Sequence, residues 1–133
     1  MCAWHEHHER TVNDLEKRRA ARQRLIMAAP AMLEAYSVLT RLPPPHRLTA
    51  ADTLHLLDKN WGHEQGVALA FEEYWKLLHE ESARKITGGR VHDALMARCA
   101  RKAKAEELLT WNIADFAAFE GKDLAICQPG ESA

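Results

Sequence analysis

Short apolar blocks that hand over directly to helical periodicity constrain this chain more than any other feature. Leu25-Ile26-Met27-Ala28-Ala29 is one such block, and Pro30 follows it. Proline is favoured at a first helical position because its missing N–H would be unpaired there in any case. Met32, Leu33, Tyr36, Leu39 and Leu42 then recur at three- and four-residue spacing until Pro43-Pro44-Pro45 stops the helix. Gly66-Val67-Ala68-Leu69-Ala70-Phe71 opens a second unit, which Tyr74, Trp75, Leu77 and Leu78 continue as a helix fading at Ser82-Ala83-Arg84. A third block, Glu107-Leu108-Leu109-Thr110-Trp111, leads into a short helix around Phe116 and Phe119, and Leu124-Ala125-Ile126-Cys127 closes the pattern. Strands at 25–29, 66–71 and 107–111 alternating with helices predict an α/β domain with a mainly parallel sheet and right-handed crossovers.

The remaining segments read as helices. Residues 5–24 are almost wholly polar, with Val12 and Leu15 as a thin apolar stripe, which predicts an exposed helix. Thr49, three residues before Asp52, resembles a capping box and opens a helix that carries Leu54, Leu56 and Leu57 to Trp61-Gly62. After the break at Thr87-Gly88-Gly89, Val91, Ala94, Leu95 and Cys99 mark another. At 133 residues and 47% apolar composition the chain suits one domain, 1–133, with a buried core. No apolar run is long enough for a membrane helix, and the N-terminus lacks the order of a signal peptide, so the expected location is the cytoplasm. Three widely spaced cysteines argue against a disulfide framework or thiolate zinc site and for reduced thiols, with Cys99 as a buried small hydrophobe. Eighteen Lys and Arg against nineteen Asp and Glu exclude a globally basic nucleic-acid coat, while leaving local patches free to bind phosphate.

In an open parallel sheet, catalytic groups gather beyond the carboxyl ends of the strands, so acids just after a strand or early in the next helix are the candidates. Glu34 lies early in the helix after strand 25–29, Asp93 follows Gly88-Gly89, and Asn112 and Asp115 follow strand 107–111. Converging oxygens without Cys or paired His suit a hard cation, Mg²⁺ or Mn²⁺, rather than zinc. Acids at helix N-termini also serve the helix dipole, and either role fits each residue taken alone.

Gly89-Arg90-Val91-His92-Asp93-Ala94-Leu95-Met96-Ala97, continuing to Leu108-Leu109-Thr110-Trp111-Asn112-Ile113-Ala114-Asp115-Phe116, resembles the second half of a PIN domain, the fold of VapC-type toxin ribonucleases. Pro30 to Leu39 resembles the family's helix with its acidic residue, and Trp4-His5-Glu6-His7-His8-Glu9 the opening of its first helix. The resemblance implies a three-layer α/β/α domain and an endoribonuclease hydrolysing RNA phosphodiesters. It further implies one or two Mg²⁺ or Mn²⁺ ions held by clustered acids and activating water, a cognate antitoxin as partner, and a homodimer. Glu34 and Asp93 match two of the family's acids, Asn112 stands where many members have a third Asp, and Thr110 matches a hydroxyl position beside the site. Asp115 matches as a carboxylate one helical turn on, with an N-cap role as its alternative.

Family members begin with an apolar strand ending in an Asp, and nothing before Trp4 reads as that strand. The expectation is therefore a PIN-like domain truncated at its N-terminus, with a central strand missing and two matched carboxylates plus one amide at the site. Each backbone group so unpaired would cost roughly 1 to 3 kcal/mol. The alternative function is a catalytically impaired PIN-like remnant acting as a dimerisation or antitoxin-binding module. Helices 30–42 and 50–61 offer apolar faces for a dimer.

Other features read more plainly. His5, His7, His8, Glu6 and Glu9 form a solvated helix start rather than a metal tract. Lys17, Arg18, Arg19, Arg22 and Arg24, and the second group Arg84, Lys85, Arg90, Arg98, Arg101, Lys102 and Lys104, either steer RNA or are solvated. Trp61, Tyr74 and Trp75 could stack bases, but the helical spacing of Tyr74, Trp75 and Leu78 predicts core.

Overall fold

The computed structural model describes residues 2–62 and 64–130, and side chains from Arg10 onward with Val12 excepted. The histidine tract of residues 5–9 therefore lies outside the described side chains. Helix α1 (Cys2–Ala20) leads to β1 (Ile26–Ala28), α2 (Ala29–Thr40) and α3 (Ala50–Trp61). Strand β2 (Gln65–Val67) is followed by α4 (Phe71–Ala83) and α5 (Arg90–Lys102). Strand β3 (Glu107–Leu109), the short α6 (Ile113–Phe116), a 3₁₀ turn (Ala117–Phe119) and β4 (Ala125–Cys127) complete the order. The class is mixed α/β.

Pairing is parallel throughout the named strands. Ile26, Met27 and Ala28 oppose Gln65, Gly66 and Val67, and Glu107, Leu108 and Leu109 oppose Ala125, Ile126 and Cys127. Among the described residues these are two separate two-stranded sheets, not one continuous sheet. Helix α5 packs against β1, β2 and β3, and against α2, α4 and α6, so it is the element that ties the two pairs together. Its small side chains Ala94, Ala97 and Cys99 are fully buried and join Leu69, Leu77, Phe116, Phe119 and Leu124 in the core. Small residues on a central helix let its neighbours approach closely, which is what dense packing requires.

Local chemistry sets the element boundaries. Helix α2 begins at Ala29 with Pro30 in its first turn, and Thr49 Oγ1 accepts the Asp52 N–H to cap α3. The second apolar block does not run as strand to Phe71. The Glu73 side chain accepts the Ala70 N–H at 2.8 Å, and this cap starts α4 at Phe71 after a strand of three residues.

One expectation about burial is corrected. Tyr74, Trp75 and Leu78 are exposed, at 38%, 56% and 47%, while the same helix buries Leu77 and Glu81. Of the twelve basic residues in the two groups, six make ion pairs among the described residues. Arg18 donates to Asp14 at 2.7 Å and to Glu107 on β3 at 2.6 Å, and Arg19 donates to Glu64 and the Asn60 carbonyl while lying over Trp61. Arg84, Arg98, Arg101 and Lys102 pair with Glu81, Glu80, Asp123 and Glu73. Cys99 is buried as expected, and burial pushes its thiol above the usual cysteine range. No helix of the described residues is long and apolar enough to cross a membrane.

Candidate active site

Gly89 precedes α5, and Asp93 occupies that helix's first turn. A helix N-terminus favours a carboxylate, yet the Asp93 carboxyl is held above its ordinary value. Partial burial is the main cause and the charge of Asp115 the second, opposed by His92 and Arg90. The shift therefore reports that two carboxylates 22 positions apart in sequence lie within electrostatic range (115 − 93 = 22). The packing of α6 on α5 brings them there.

The turn that carries Asp115 is built by its own polar groups. Thr110 continues the β3 ladder by donating its N–H to the Cys127 carbonyl, and its hydroxyl oxygen accepts the Asn112 N–H at 3.0 Å. The Asn112 carbonyl then accepts the N–H groups of Asp115 and Phe116, so Asn112, not Asp115, is the residue at the N-cap of α6. Its side chain makes no cap bond. Trp111, between them, donates its indole N–H to Thr11 on α1 at 3.0 Å, and the Arg10 guanidinium lies 5.0 Å from its ring centre. Thr110 thus shapes the loop, and Trp111 fastens that loop to α1. An indole just after a strand gives no local signal for a partner 100 residues away.

Glu34 is exposed on α2, which packs against α5. Among the described residues no group of three or more His, Cys, Asp or Glu side chains is placed to hold a metal ion. The oxygen donors nonetheless fit a hard divalent cation in kind. A positive charge beside Asp93 would offset the burial and the Asp115 charge that together raise its carboxyl, and carboxylate oxygens are the donors such a cation takes. Neither of two surface grooves near 500 Å³, one between α4, α5 and the 3₁₀ turn and one beside α1, includes Glu34, Asp93 or Asp115.

Parallel strand pairs gathered on a central helix, with Asp93 in that helix's first turn, define a mixed α/β domain. The chain is 36% identical over 108 residues to Ribonuclease VapC40 of Mycobacterium tuberculosis strains CDC 1551 / Oshkosh and H37Rv, a match covering 81% of this chain and 75% of theirs. It is 35% identical over 86 residues to Ribonuclease VapC27 of strain H37Rv, covering 65% of this chain and 61% of that one. The chain belongs to the VapC family of PIN-fold ribonucleases. No protein-family model matches it, and no solved structure does.

Proposed function

We propose that this chain is a VapC-type toxin endoribonuclease that hydrolyses RNA phosphodiesters at the surface around Asp93. Family membership supports the activity, and the packing of α6 on α5, which sets the charge of Asp115 against Asp93, supports the location. Glu34, Asp93 and Asn112 would hold Mg²⁺ or Mn²⁺, with Asp115 beside them; when bound, the cation supplies charge neutralisation at the phosphate and a more acidic water. The chain's own part is positional. Asp93 and Asp115 create an acidic spot that a phosphodiester approaches only when that charge is neutralised. The Thr110 hydroxyl holds the Asn112 N–H, and with it the turn that places the amide and Asp115. The Trp111–Thr11 bond keeps the turn from swinging out.

The partners follow from the same reading: RNA as substrate, a cognate antitoxin, and a second copy of the chain through α2 and α3, where Met32, Leu33 and Leu54 are exposed. A cytoplasmic location goes with that role. The second reading, an impaired remnant that binds antitoxin, is favoured by one observation: among the described residues no third acid joins the Asp93 pair in a metal-holding group. Calorimetric titration of Mn²⁺ separates the two. Under the nuclease reading the parent chain binds Mn²⁺, and Glu34→Gln and Asp93→Asn each weaken it at least tenfold. Unchanged affinity in both variants retires the acidic site.

A further inference from the structure

Helix α1 runs down the side of β3. Thr11 accepts the Trp111 indole N–H just beyond the carboxyl end of that strand, and about two turns later Arg18 donates to Glu107 at the strand's first residue. A groove of about 490 Å³ follows the same course, with Arg10, Asn13, Lys17 and Arg18 along α1 and Glu107 and Gly130 across from them. One end of it is the Arg10 guanidinium, which lies over the Trp111 ring and accordingly next to the Asn112 turn. The groove holds none of the carboxylates of the proposed site; it starts beside the loop that carries Asn112.

Charge selects what the groove takes. Its acids are Asp14 and Glu107, and Arg18 holds both, at 2.7 and 2.6 Å. Arg10 and Lys17 are exposed and make no ion pair among the described residues, so the groove keeps a positive surplus. Glu16 and Glu106, the exposed acids nearest in the chain, do not line it. Arg22 and Arg24, exposed in the connection to β1, add charge at the far end, where Gln23 lines the groove. In the groove of similar size between α4, α5 and the 3₁₀ turn, by contrast, Arg84, Arg98 and Arg101 are each paired with an acid. Seven residues, about 10 Å, separate Arg10 from Lys17 along α1, more than the spacing of successive phosphates, so one strand can meet both. Basic side chains tracking a backbone, with amides between them, are the make-up of a single-strand channel.

Resting on the nuclease reading above, we infer that the groove along α1 seats the single-stranded RNA next to the cleaved bond, with Arg10 and Lys17 each on a phosphate. Both are positioning residues: they hold the strand and touch no reacting atom. Arg18 takes no phosphate and instead neutralises the two acids that would repel one.

Binding is tested apart from cleavage. A labelled single-stranded RNA of about 12 nucleotides is titrated with the full chain in EDTA by fluorescence anisotropy, and cleavage of the same RNA is followed with Mn²⁺. Lys17→Glu should weaken binding at least tenfold, whereas Lys76→Glu, the same charge change at an exposed lysine of α4 outside the groove, should weaken it less than twofold. Lys17→Gln with Arg10→Gln should lower the slope of log affinity against log salt by about 1.4, the loss of two phosphate contacts, and its cleavage defect should fall on KM rather than kcat. A Lys17 that only complements the C-terminal end of α1 would shift the melting temperature and leave affinity unchanged. Lys17-dependent binding by a parent that fails to cleave upholds the groove and contradicts the nuclease reading. Equal RNA affinity in the parent and Lys17→Glu overturns the inference. So does equal weakening by Lys76→Glu, or oligoglutamate displacing the RNA as effectively as unlabelled RNA does.

Discussion

Burial and the charge of Asp115 raise the Asp93 carboxyl, and the opposing charges of His92 and Arg90 do not cancel that rise. A carboxyl whose folded value lies above its ordinary one stabilises the fold only while protonated. Its contribution is complete below about pH 3.8 and is lost as pH rises through the raised value. Asp93→Asn should therefore melt at or above the parent temperature at pH 7, with the difference vanishing below pH 4 in a thermal-melt series. A helix-dipole role alone predicts the reverse, a loss of a few tenths to about 1 kcal/mol at neutral pH. Cys99 and Cys127 are buried, and the raised Cys99 thiol is a poor nucleophile. Ellman titration of the native chain should leave both unreacted until denaturant is added. Cys99 was legible from its place on a helical apolar face. Asp93 was legible as an acid opening a helix, whereas its coupling to Asp115 depends on how α6 packs and has no counterpart in local sequence.

Elements follow the sequence best where a boundary is made by one residue's chemistry. Thr49 before α3 is such a case, and Thr49→Ala should cost about 1 kcal/mol in denaturant unfolding because the Asp52 N–H loses its acceptor. Pro30 in the first turn of α2 is another. The start of α4 was misplaced because Gly66 to Phe71 is apolar throughout, and hydrophobicity alone does not distinguish a strand from an extended entry into a helix. The cap from Glu73 decides it. Burial on α4 was misread for a related reason: periodicity shows that apolar residues share a face, not which neighbour covers it. The chain covers Leu77 and leaves Trp75 open.

At the scale of the molecule, long-range ion pairs carry much of what the sequence presented as basic patches. Arg18 joins α1 to β3 through Glu107 and is itself 12% exposed beside the buried Asp14. Removing it leaves Asp14 buried without this partner, so Arg18→Ala should lower stability by roughly 3 kcal/mol in urea unfolding. A partner 89 residues distant is invisible to any local pattern, which is why these arginines read as surface. The α/β order was legible from alternating apolar blocks, and the family from the motifs around Asp93 and Asn112. The separation into two parallel pairs bound by α5 was not, since strand identity says nothing about which edges meet. Cleavage of RNA at the surface around Asp93 with a divalent cation is the activity on which the rest depends. Incubating the full chain and its Asp93→Asn variant with a single-stranded RNA and Mn²⁺ measures it directly. The parent should cleave, EDTA should abolish that cleavage, and the variant, of unchanged fold, should be at least a hundredfold slower; cleavage that persists in EDTA, or at the parent rate in the variant, rules out a metal-dependent site at Asp93.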